Sequence, residues 1–106
     1  MDFSALVKLR KHLTIKHHIP GRLRFLFDAG LIARAGELRA LANGNGLPPG
    51  VSDARLNILA RSVILEYDAQ RVPMELLERL ITAPADADAL AALEELKRRV
   101  GYAPGA

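Results

Sequence analysis

The segment "LTIKHHIPGRLRFLF", Leu13 to Phe27, most constrains what this chain can fold into. Its odd positions are Leu13, Ile15, His17, Ile19, Gly21, Leu23, Phe25 and Phe27. Its even positions are Thr14, Lys16, His18, Pro20, Arg22, Arg24 and Leu26. A strand sends successive side chains to opposite faces, so this alternation predicts a long half-buried strand rather than a helix. Pro20-Gly21 predicts a bend or bulge in its middle. A hairpin turning at Pro-Gly is the second choice, because the phase is unbroken and polar turn residues are lacking.

The flanking segments carry the other period. "DFSALVKLRKH" reads as a short helix over 2–11, capped by Asp2 or Ser4. Phe3, Leu6, Val7 and Leu9 form its apolar side. A helix this short must pack on the domain, on a second copy or on a membrane surface. "ARAGELRALANG", from near Leu31, reads as a helix stopped at Asn43-Gly44. "NGNGLPPG" is a loop on composition. "VSDARLNILARSVILEYD" reads as two strands turning near Ala60-Arg61. "VPMELLERLIT" is a helix with Pro73 in its first turn. A last helix covers 86–100, with acids at its start and Lys97, Arg98 and Arg99 in its last turn, matching the helix dipole.

The middle five elements run β-α-β-β-α. The order predicts an α+β, ferredoxin-like sandwich with helices on one sheet face. The core spans about 12–82, within one domain of residues 1–106. An extra helix precedes it, and a C-terminal helix stands in place of the fourth strand, leaving a sheet edge uncovered. Half the residues are apolar but only five are aromatic, so Leu, Ile, Val and Ala must build most of the core.

Cysteine is absent, which removes disulfides, thiolate nucleophiles and thiolate metal sites. No apolar run approaches the roughly 20 residues that span a bilayer, and no signal-peptide core opens the chain. A cytoplasmic location is the expectation. The net charge of +3 is uneven: Met1–Arg24 holds six Lys/Arg and one Asp, whereas Glu66–Glu95 holds eight acids and two arginines. Such polarity suits partner steering or association of copies.

"HHIPGRLRFLF", "GVSDARLNILARSVILEYD" and the following helix resemble heavy-metal-associated-like (HMA-like) domains that lack the metal-binding Cys-x-x-Cys. The matching residues are His17, Pro20, Gly21, Arg22, Arg24, Gly50, Val51, Asn57, Ser62, Tyr67 and Asp68, within residues 12 to 82. "VGYAPGA" is also similar to the Gly-Tyr that follows the second helix in metal-chaperone relatives. The resemblance implies a ferredoxin-like fold and an association with metal handling. Such domains occur with metal-transporting P-type ATPases and with bacterial iron-storage compartments. The absent thiolates set this chain apart from copper-chaperone chemistry.

The histidines are candidate ligands for zinc, copper, nickel or iron. His17 and His18 point to opposite faces of a strand, and His12 lies about 20 Å from His18. One chain therefore offers isolated ligands, to which Glu66 or Asp68 can add. A single exposed His17 or His18 also suits a haem iron. Lys16, His18, Arg22 and Arg24 share a phase and form a basic stripe, facing Ile64 and Glu66 of a neighbouring strand. That stripe is a candidate partner surface. No aromatic stands on it to stack a base, and Glu66 opposes a phosphate backbone, which disfavours nucleic acid. No catalytic spacing or phosphate-cradling loop is present. The expected function is a non-enzymatic accessory module in transition-metal homeostasis, with iron the leading metal. Lys16, Arg22, Arg24 and Glu66 bind the partner, and His17 and His18 are the metal candidates. The expected partner is a metal-transporting ATPase or a storage-compartment protein. A second copy of the chain is a further candidate, and Lys8, Arg10 and Lys11 offer weak peripheral membrane contact.

Overall fold

The computed structural model describes residues 1–41 and 46–100. In it, Leu13–Phe27 forms two strands instead of one. β1 (Leu13–Ile19) and β2 (Arg22–Phe27) run antiparallel, and the chain turns at Pro20-Gly21. Gly21 has φ +91°, a left-handed conformation open to glycine and strained for other residues. The single bent strand is thus corrected to a hairpin.

Its alternation is unbroken because two phase changes cancel. Across the two-residue turn, Ile19 opposes Arg22, so an odd and an even residue share a face. A bulge does the same inside β1: Ile15 opposes Phe25 and His17 opposes Arg24, leaving Lys16 as the extra residue. Leu13, Ile15, Leu23, Phe25 and Phe27 therefore all face inward and are all odd. Between the two slips the parity is reversed, and there His18 turns inward.

β3 (Val51–Asn57) and β4 (Ser62–Tyr67) form the second hairpin, close to the expected Ala60-Arg61 turn. The Asn57 side chain accepts a hydrogen bond from the Ala60 amide at 3.0 Å, and Arg61 takes φ +50°. β4 pairs with β2, giving the order β1-β2-β4-β3 with every pair antiparallel. The sheet thus has four strands. β1 pairs with β2 as a separate strand and covers the edge that a three-strand order leaves bare. The C-terminal helix does not stand in for a strand.

The helices lie on one face of the sheet. α1 (Phe3–Lys8) is capped by Asp2, whose carboxylate accepts from the Ser4 amide at 3.0 Å. A 3-10 turn, Arg10–His12, leads into β1. The single helix expected after β2 is two, α2 (Ala29–Ile32) and α3 (Ala35–Ala40), parted at Ala33-Arg34. Gly30 and Gly36 weaken helix propensity there, and Leu31 and Leu38 enter the core separately. The Asn43-Gly44 stop and the "GYAPGA" end lie outside the described residues. α4 (Met74–Thr82) and α5 (Asp86–Arg99) pack on each other and on α1.

Phe25, Leu23, Val63 and Leu65 on the inner sheet face and Leu6, Leu77, Leu80 and Leu96 on the helices are fully buried in one core. α1 places its apolar side there, so of the three expected packings it takes the one on the domain. Arg10 is equally occupied. Its guanidinium bonds the Ile81 carbonyl at 3.0 Å, the Ala83 carbonyl and Asp86 at 3.1 Å, fixing the α4–α5 junction. The fold is α+β, a four-stranded antiparallel sheet with helices on one side.

Candidate functional site

Among the described residues no helix covers the opposite sheet face. Apart from Ser62, its residues are exposed or half-buried. The strand registers arrange them in rows. Nearest the Pro20-Gly21 turn lie Ile19, Arg22, Glu66 and Asp53. Next come His17, Arg24, Ile64 and Arg55. The third row holds Thr14, Leu26, Ser62 and Asn57. Arg22 and Arg24 thus sit on an inner strand with Glu66 directly opposite Arg22, at the roughly 5 Å separation of paired strands. Among the described residues no ion pair joins Arg22 to Glu66, and both charges face outward. Arg24 is half-buried, and its Nε is buried with no hydrogen-bond partner among the described residues. Arg55 holds Asp53 at 2.6 Å, a surface pair of small energetic weight.

Four expected partner residues therefore share this surface or its border: Arg22, Arg24 and Glu66 on the open face, and Lys16 exposed at the bulge. The two histidines exchange their expected places. His17, not His18, stands beside Arg24 on the open face, because of the bulge at Lys16.

His18 faces inward, with its side chain only 2% exposed. Its Nδ1 lies 2.7 Å from the Glu78 carboxylate of α4, and its Nε2 lies 2.6 Å from the Tyr67 hydroxyl. With Nδ1–H donating to Glu78, a neutral imidazole leaves Nε2 to accept the Tyr67 proton. The Tyr67 and His18 rings meet edge to face at 5.9 Å. Burial pushes the Tyr67 phenol above its ordinary value, against a lowering hydrogen bond from the Gly21 backbone, and the nearby Glu78 and Glu75 charges push the same way as burial. The cluster satisfies three buried or half-buried polar groups and ties the end of the first hairpin to α4.

His12 is also engaged. Its Nδ1 lies 2.9 Å from Asp28, which caps α2 through the Leu31 amide at 3.1 Å. Burial opposes the charge on Asp28, but the bonds from His12 and the Leu31 amide outweigh it and hold the carboxyl below the usual range. Asp68 caps the turn at Gln70 (2.9 Å). Among the described residues no three His, Asp or Glu side chains are grouped to hold a metal ion. The structure does not bring His17 and His18 together as ligands.

Sequence reasoning missed Tyr67 and Glu78 as partners of His18, and Arg55 and Asp53 on the open face. Tyr67 carried a signal: an inward aromatic with a hydroxyl needs a partner. Glu78, 60 residues from His18, carried none. No helix among the described residues is long and apolar enough to cross a membrane. Comparison with known protein families, with curated proteins and with solved structures gives no match.

Proposed function

We propose that this chain is a non-enzymatic accessory module of transition-metal homeostasis, working on the cytoplasmic side and docking a protein partner on its open sheet face. Lys16, Arg22, Arg24 and Glu66 make the contact. The observation that carries the reading is the bare face itself, where Arg22 and Glu66 stand opposite each other without pairing. Charges of both signs in fixed register select a partner by complementarity more than by raw affinity. The His18 cluster is closed from solvent at the imidazole, which favours a structural role for it.

The arrangement of the strands supports a ferredoxin-like reading. β4 lies between β2 and β3, which are linked by α2 and α3, as in a split βαβ unit. β1 takes the fourth place, from the N-terminal side. The residues that carry the HMA-like resemblance also meet in space. The Tyr67 amide donates to the Gly21 carbonyl at 3.0 Å, and the Asp68 amide to the Gly50 carbonyl at 2.8 Å. A Cβ on Gly50 would lie 2.7 Å from a Val72 methyl, so that glycine serves a close approach. The resemblance supplies the kind of partner: a metal-transporting P-type ATPase or a storage-compartment protein, with iron the leading metal.

The test is cellular metal content in a strain lacking the chain, measured by mass spectrometry. Altered iron or another transition metal, restored by the wild type and not by a folded Arg22→Glu variant, supports the reading. Unchanged metal content in the deletion strain, or full rescue by Arg22→Glu, overturns it.

A further inference from the structure

The turn between β3 and β4 carries a feature that borders the partner surface and shares Arg24 with it. Leu59 is 99% exposed and its neighbour Ile58 is 56% exposed. Lone exposed apolar residues are ordinary. Here two adjacent ones form the tip of a hairpin and the rim of a cleft of 570 Å³. Arg24, Arg55, Asn57 and Ser62 contribute the polar part of its lining, and none of its lining residues is acidic. Arg24 brings a buried Nε that has no acceptor among the described residues. Arg55 spends its Nε on Asp53, which leaves its terminal nitrogens toward solvent. Asn57 uses its side-chain oxygen on the Ala60 amide, which leaves its NH₂ as a donor. Arg61 follows the tip, exposed, with φ +50°.

The cleft thus gathers donors and positive charge under an apolar rim. That combination is complementary to a phosphate attached to an apolar body. We propose that the β3–β4 tip is a docking site for an anionic phospholipid surface. Ile58 and Leu59 enter the headgroup–acyl boundary, and Arg24 and Arg55 take a lipid phosphate in the cleft, with Arg61 adding attraction at the rim. Free phosphate shares the headgroup chemistry but offers nothing to Ile58 and Leu59, whose exposure favours the lipid source. The site lies on a different element from the N-terminal helix; it shares Arg24 with the proposed partner face but uses none of Lys16, Arg22 and Glu66.

The experiment is co-sedimentation of the full chain with mixed phosphatidylcholine–phosphatidylglycerol vesicles and with pure phosphatidylcholine vesicles. Binding to the mixed vesicles alone, weakening as salt rises, is expected. Leu59→Ser lowers the partition by at least about tenfold, and Arg55→Gln lowers it roughly fivefold. Leu90→Ser, on α5 and 52% exposed, leaves it unchanged. Both test positions are exposed, and circular dichroism confirms that the variants fold. The chain has no tryptophan, so Leu59→Trp reports insertion by a blue shift on mixed vesicles. Three results overturn the proposal: equal binding to both vesicle types, binding indifferent to Leu59→Ser, or a site that takes inorganic phosphate while the Leu59→Trp emission stays unshifted on vesicles. The last identifies a free-anion site.

Discussion

The two hairpins close their turns in opposite ways. Near the tip of the first, His18 is locked between Glu78 and Tyr67, and Tyr67 also bonds the Gly21 backbone. The tip of the second, Ile58 to Arg61, projects apolar side chains into solvent. One tip is fastened to a helix by buried polar groups, and the other is held by its own turn and by the Arg61 carbonyl, which accepts from the Phe27 amide of β2 at 2.9 Å. A histidine-rich strand end therefore does structural duty, whereas a plain aliphatic turn is left free to make contact.

Breaking the first fastening has the largest expected effect. His18→Ala leaves the Tyr67 hydroxyl without its imidazole partner and opens a gap beside α4, and costs about 2 kcal/mol in urea unfolding. An unchanged unfolding midpoint means that the cluster does not fasten the hairpin. Gly21→Ala comes next, at about 1 kcal/mol, because alanine pays to hold φ near +91°. Its new Cβ meets the Tyr67 carbonyl oxygen at 3.4 Å, an ordinary contact, so the cost is chiefly conformational.

The Tyr67 phenol sharpens the same contrast through pH. Its folded pKa is raised above the ordinary 10.0, so the native state holds the proton more tightly than the unfolded chain. That contribution is complete below pH 10 and is lost as pH rises through the raised folded value. Phenolate absorbance in a Tyr102→Phe background should titrate above the ordinary tyrosine value, and stability should fall across that window. A normal midpoint means the hydroxyl is not held as described. Smallest is Leu59→Ser, within about 0.5 kcal/mol of wild type in urea unfolding. A larger loss means that the second tip is packed after all.

Much of the fold is legible in the residues. The inward stripe Leu23, Phe25 and Phe27, the second hairpin, α4 and α5 all follow from period and turn chemistry. The first hairpin is not, and for a physical reason. A bulge at Lys16 and a two-residue turn each invert the phase, and their sum looks like no change. Pro20-Gly21 was the correct sign of a turn, and the unbroken pattern outweighed it. The same double slip put His18 on the wrong face and hid the fourth strand. Of the candidate surface, Lys16, Arg22, Arg24 and Glu66 could be named from alternation and charge. Asp53 and Arg55 share a phase opposite Ala54 and Leu56, so alternation already puts them on that face; what it does not show is their pairing beside Glu66 and Ile64, which the strand order sets.

The most direct test of the docking face is a backbone-amide NMR titration of the labelled chain with the cytosolic domain of a co-occurring metal-transporting ATPase, repeated with a storage-compartment protein. Docking on the open face requires shifts in one of the two titrations that concentrate on Arg22, Arg24, Ile64 and Glu66 and vanish in Arg22→Glu. Shifts confined to α1, α4 and α5, or none with either protein, contradict it.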